Sequence, residues 1–137
     1  MRYLLDANVL SEMVKPRPDA GVANWLVQNE SGSAISEVTI GELTKGAFFL
    51  PAGKKRTRIL LWIEEVEAAF EGRVLPMTLD VFKRWGELCG TSEAQGCRWP
   101  LIDSLLAATA LVHDLTVVTR NVTDFPPEVR TLNPWKK

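Results

Sequence analysis

The sequence predicts an α/β fold, a doubly wound parallel sheet of five strands covered by helices on both faces. Short apolar runs rich in β-branched residues alternate with longer segments of helical period, the pattern of βαβ units. Proline, glycine and capping residues punctuate the boundaries between them. Apolar residues, 46% of the 137, are spread along the whole chain rather than confined to one part, which argues for one compact domain over 1–137.

The first strand is expected over residues 2–5 and ends against Asp6, with a helix over 9–14 behind it. The KPRP segment that follows is non-helical, because proline lacks a backbone donor and restricts its predecessor. Asp19 caps a helix over 20–28 whose apolar side carries Val22, Trp25 and Leu26. A strand over 34–36 leads to a helix over 38–48, LPAGKK forms a turn, and the next helix runs over 54–70. Its stripe of Ile59, Leu60, Ile63, Val66 and Phe70, widened by Trp62, serves either core packing or a subunit interface. A strand over 73–76 precedes a helix over 79–95. Pro100 then opens a helix over 101–113, its fixed φ suiting the first turn. Strands over 115–119 and 130–132 complete the chain.

Composition narrows the function classes. With 16 Lys and Arg against 17 Asp and Glu the net charge is −1, so no overall basic field marks a nucleic-acid binder. The basic run KKRTR at 54–58 is either a solvated helix face or a phosphate-contacting patch. Cys89 and Cys97 have neither the number nor the spacing of a disulfide framework or a zinc site. Nothing in the sequence approaches the roughly 20 apolar residues of a membrane span, and no leader pattern stands at the N-terminus. A cytoplasmic location is the expectation.

In a parallel sheet, chemistry belongs in the crevice outside the carboxyl ends of the strands. Asp6 follows the first strand and Asp124 the fourth, Glu42 lies in the helix after the second, and Asp103 sits in the first turn of the helix before the fourth. Each has a structural alternative. Thr39 and Glu42 have capping-box spacing, Asp103 suits a helix dipole, Asp124 a turn, and Asp6 a cap for the helix starting near Asn8. Gathered on one edge, however, four carboxylates repel one another unless a cation compensates, and hard oxygen ligands select Mg²⁺ or Mn²⁺. Such an ion, keeping waters in its shell, suits hydrolysis of a phosphodiester. Asn8, Thr119, Arg120 and Asn121 stand beside these acids and are candidates to hydrogen-bond either the carboxylates or a scissile phosphate. Asp80 reads as first-turn helix chemistry and His113 as a C-terminal cap.

LLDANVLSE, SEVTIGELTKGA, PLIDSLLAATAL and VVTRNVTDF, in that order and spacing, resemble the PIN-domain ribonucleases, specifically the VapC-like toxins of type II toxin–antitoxin pairs. RPD at 17–19, LPAGKKR, RVLP, WGEL and the closing NPW are similar to the FitB-like subgroup. The resemblance implies a three-layer fold with a five-stranded parallel sheet and Mg²⁺- or Mn²⁺-dependent endoribonuclease activity. By position it makes Asp6 and Asp103 the principal metal ligands, Asp124 a further ligand acting through water, and Glu42 a ligand or orienter of the attacking water. It also implies a homodimer, able to assemble further, and a cognate antitoxin that places a basic side chain among the carboxylates. Because RNA is itself anionic, basic residues at the rim must guide it. Lys45, the 54–58 run, Arg98 and Arg120 are the candidates, and a tRNA loop is the kind of single-stranded target expected.

Three other readings compete. A receiver-type phosphoacceptor module needs paired acids after strand one and an Asp after strand three, where this chain has Asp6 alone and Pro76-Met77. A PIN fold that binds RNA without cutting it would not require the complete set of acids. A haloacid-dehalogenase-type phosphatase would want Asp at position 8, which is Asn.

Overall fold

The computed structural model describes residues 1–135. β1 (Tyr3–Leu5) is followed by α1 (Ala7–Glu12) and α2 (Ala20–Asn29), and a 3₁₀ turn (Glu30–Gly32) leads into β2 (Ser33–Ser36). α3 (Glu37–Phe49), α4 (Lys54–Ala69), β3 (Val74–Leu75), α5 (Leu79–Ala94), α6 (Leu101–His113) and β4 (Thr116–Val118) come next, then a second 3₁₀ turn (Val122–Asp124) and β5 (Thr131–Leu132). All strand pairs are parallel and the order is β3-β2-β1-β4-β5. The chain builds outward from β1 to one side, then returns to place β4 on the other. The crevice at the carboxyl end of β1 is therefore the switch point where open α/β sheets bind ligands.

Alternating strand residues supply two cores, as the pleat requires. Leu4, Ala34 and Val117 face one way and pack with Leu88 of α5 and Leu106, Ala107 and Ala110 of α6. Leu5, Ile35 and Val118 face the other and pack with Val9, Val22, Leu43, Ile63 and Val66 from α1 through α4. The three-layer arrangement follows. The apolar stripe of α4 is accounted for here: Ile63, Val66 and Phe70 are buried, and Ile59, Leu60 and Trp62 pack against the same cluster, so core packing consumes it. No helix among the described residues is long and apolar enough to cross a membrane.

The differences from the sequence expectation are local. The Thr39–Glu42 capping box does not form: α3 begins earlier, capped by Ser36, whose hydroxyl accepts the Val38 N–H, and Thr39 lies inside the helix. Pro100 is the cap rather than the first helical residue, its carbonyl accepting the Ser104 N–H, which leaves Asp103 in the first turn as expected. Strands four and five are shorter than their apolar runs because ladder pairing stops at Val118 and starts at Thr131. In the 54–58 run, Arg56 turns inward and donates to the Phe48 and Leu50 carbonyls at the end of α3, while Lys54, Lys55 and Arg58 stay exposed.

Candidate active site

Strand-to-helix junctions with almost no loop build the site. Asp6 is both the residue after β1 and the N-cap of α1, its Oδ1 accepting the Ala7 N–H at 2.7 Å. That cap fixes the carboxylate at the mouth of the crevice and leaves Oδ2 for other partners. Thr119, just past β4, donates its hydroxyl to Oδ2 at 2.8 Å, and the Asn8 amide donates to the same oxygen at 3.4 Å. Asp6 is buried and well partnered, yet burial raises its pKa above the usual carboxylate value, against the lowering effect of Thr119 and Ala7, with Asp124 adding a smaller repulsion.

The other acids converge on this one. Asp103, in the first turn of α6, is half-buried and faces Asp6, Asp124 and Glu42. Burial first and those three charges next push its pKa up to about 7. Glu42, in the second turn of α3, is also shifted upward, by burial and then by Asp6, with Lys45 partly offsetting. One of its oxygens, Oε1, is buried with no hydrogen-bond partner. Asp124 sits on the 3₁₀ turn after β4 and enters through its effect on Asp6 and Asp103.

Thr119 and Asn8 hold the acid. Thr119 is fully buried, and its oxygen, having donated to Asp6, accepts from the Asn8 amide at 3.3 Å and the Asn121 N–H at 3.0 Å. One donor and two acceptor sites are all a hydroxyl has, and of the two partners expected for Thr119, the acids or a phosphate, these bonds are to the acids' side of the crevice. Asn8 completes a bridge between the loops by accepting the Arg120 N–H at 3.4 Å. Asn121 contributes its backbone N–H, and the residue is exposed at the mouth of the crevice. Thr119→Val is expected to leave Asp6 less firmly oriented and to lower catalysis about 10- to 100-fold, the usual cost of losing a group that orients a ligating carboxylate. Steady-state cleavage rates check this, with a circular dichroism melt to confirm folding.

One buried carboxylate was not singled out by sequence reasoning. Glu12, at the end of α1, accepts the Asp19 N–H at 2.8 Å and pairs with Lys15 at 2.9 Å. It ties the KPRP loop to the cap of α2 rather than joining the site, and spacing along the chain gave no signal for it.

Among the described residues no three of His, Cys, Asp and Glu form a ready-made chelating group. The donor set nevertheless fits a hydrated hard cation. It is all oxygen, it includes a buried carboxylate oxygen lacking any partner, and its members repel one another. Mg²⁺ keeps several waters and needs only one or two carboxylates directly. Clefts flank Glu42 on both sides of α3, one lined by Asn8, Ser11 and Trp62, the other by Lys45, Phe49 and Ile102.

The PIN domain family model matches residues 3–125. The chain is 36% identical to VapC ribonuclease Y4jK of Sinorhizobium fredii over 97% of both chains. It is 33% identical to Toxin FitB of Neisseria gonorrhoeae over 96% of this chain and 97% of that one. Among solved structures, FitAcB from Neisseria gonorrhoeae superposes with a TM-score of 0.90 at 33% identity, covering 98% of this chain and 99% of its counterpart. A parallel sheet with this strand order, an acidic crevice at its switch point and relatives aligned along nearly the whole length lead to one conclusion: the chain belongs to the PIN-domain family, in the branch that holds VapC ribonuclease and Toxin FitB.

Proposed function

We propose that the chain is an Mg²⁺- or Mn²⁺-dependent endoribonuclease acting as the toxin of a toxin–antitoxin pair. The observation that carries this reading is the convergence of Asp6, Glu42, Asp103 and Asp124 at the switch point, from four different segments of the chain. Four acids facing one another are costly in an empty crevice and useful around a cation. Asp6 and Asp103 would hold the ion directly and Asp124 through water. The bound ion would supply charge neutralisation for the phosphodiester and lower the pKa of a water.

The residues divide the remaining work. Thr119 and the Ala7 N–H fix the rotamer of Asp6. Glu42, its pKa raised by burial and its Oε1 unpartnered, accepts the proton of the attacking water as the new phosphorus–oxygen bond forms. The leaving oxygen takes its proton from solvent. Asn121 and Lys45 contact the RNA backbone at the rim.

Relatives named Toxin FitB and solved as FitAcB support a cognate antitoxin as the partner, and an arginine or lysine from it would pair with the carboxylates in place of the ion. A homodimer is the assembly proposed, and the exposed Phe49 (88%) is an apolar side chain that such an interface would cover. A cytoplasmic location follows from an RNA substrate.

The test is incubation of pure protein with total RNA, with and without EDTA, followed by sequencing of new 5′ ends. Discrete new ends that disappear with EDTA are expected. Intact RNA in every metal condition, or ends that persist in EDTA, would overturn the reading. Binding of RNA without any cutting would favour the RNA-binding alternative, and phosphorylation of Asp6 by a small phosphodonor the receiver alternative.

A further inference from the structure

A cleft of about 510 Å³ lies at the turn between α5 and α6, and the proposed chemistry leaves it unused. Its walls include two indoles, Trp85 of α5 and Trp99 of the connecting turn, together with Arg98, Leu101 and Ser104. Gly96, with φ 84°, ends α5 in the left-handed region and turns the chain back toward α6. Leu101 and Ser104 of α6 line the cleft, while Asp103, between them in sequence, projects from another side of the helix toward the acids, so the first turn of α6 stands between the cleft and the candidate active site.

The polar edges of both indoles are committed inside the protein. Trp85 Nε1 donates to Ser104 Oγ at 3.0 Å, and that hydroxyl in turn donates to the Leu101 carbonyl at 2.8 Å. Trp99 Nε1 donates to Ser92 Oγ at 3.2 Å. The rings are thereby held in place, and what remains for a ligand is aromatic surface. Arg98 is 84% exposed and forms a long surface pair, 3.8 Å, with Glu93, which also lines the cleft, so its guanidinium meets an anion by exchanging a weak partner. Fixed aromatic surface with an exposed guanidinium beside it is the chemistry that holds an unpaired nucleotide, its base stacked and its phosphate charge-paired.

We propose that this cleft is a nucleotide-binding subsite: it takes the base of a nucleotide flanking the scissile phosphate against Trp99 and Trp85, with Arg98 on an adjoining phosphate. The inference rests on the ribonuclease reading and assigns it a specificity element across the first turn of α6 from Asp103. Stacking selects unpaired bases and favours large ones, so the subsite biases cleavage toward single-stranded sites with a purine at one flanking position.

The test uses the full-length protein, Mn²⁺ and a short single-stranded RNA pool of random sequence, with cleavage ends sequenced and initial rates fitted. Trp99→Leu is expected to raise KM roughly tenfold, within the range for losing one stacked base, with kcat little changed and the base preference at one flanking position flattened. Trp99→Phe is expected to recover most of both. Arg98→Gln, at an exposed position that does not endanger folding, is expected to weaken binding for every sequence and to reduce the slope of log affinity against log salt by about 0.7, one phosphate contact on a single strand. If wild-type protein cleaves the pool while Trp99→Leu and Arg98→Gln match it in KM, base preference and salt slope, the subsite is overturned and the nuclease reading stands. A wild-type protein that cleaves nothing removes both.

Discussion

Asp6→Asn and Asp103→Asn are each expected to lose at least about 10³-fold in RNA cleavage while remaining folded, because each removes a negative charge the ion needs and several kcal/mol of transition-state stabilisation with it. The two substitutions differ in what else they disturb. Asp6 is tied into the fold through the Ala7 N–H and the Thr119 hydroxyl, so an amide there keeps one acceptor and sets an NH₂ group against a network built for a carboxylate. Asp103 faces Asp6, Asp124 and Glu42, and its replacement relieves repulsion. Without metal at pH 8, Asp103→Asn should therefore melt higher than wild type even as it is inactive, the trade expected where function requires like charges to be gathered. Cleavage within tenfold of wild type in both variants would sink the metal-site reading. An Asp103→Asn protein that melts lower would show that the carboxylate makes a stabilising contact instead.

The fold was largely legible because its signals are local. β-branched runs gave the strands and helical periodicity gave the helices, while Asp19 capped its helix as its position indicated, accepting the Val22 N–H. The acids were legible for a topological reason: a residue just past a parallel strand must stand at the sheet's active edge, whatever its neighbours do. What local spacing misassigned was the neighbourhood of Glu42. Thr39 three residues before it matches a capping box, but Ser36 ends the strand, caps the helix first and moves Thr39 into the second half of a turn. Thr119 was legible as a partner for the acids, but which acid it meets was not, since its hydroxyl reaches a carboxylate 113 positions away and only the pairing of β1 with β4 brings them together. Glu12 remained hidden because a buried carboxylate held by one loop N–H and by Lys15 three residues on looks, in sequence, like any paired polar residue on a helix.

The same crowding of carboxylates makes stability respond to pH and to metal in opposite directions. Asp6, Glu42 and Asp103 all have folded-state pKa values above their ordinary ones, Asp103 reaching about 7 from 3.8. Across that window the folded protein holds protons that the unfolded chain has released. The metal-free protein therefore loses stability as pH rises from about 4 to about 7, and the loss is complete above the folded value. A divalent ion binds the deprotonated carboxylates, so its stabilisation grows through the same window. At a metal concentration about 100-fold above Kd the gain is about 2.7 kcal/mol, which for a chain of this size raises Tm on the order of 10 °C at pH 8. Near pH 5 the ion competes with protons on Asp103 and the shift should largely vanish, as it should at any pH in Asp6→Asn. Melting curves with Mn²⁺, Mg²⁺ and EDTA across pH 5 to 8 read this directly. A metal-induced shift of equal size at both ends would place the ion elsewhere on the surface. A metal-free Tm that climbs with pH would mean that the acids are compensated by contacts within the protein and need no cation.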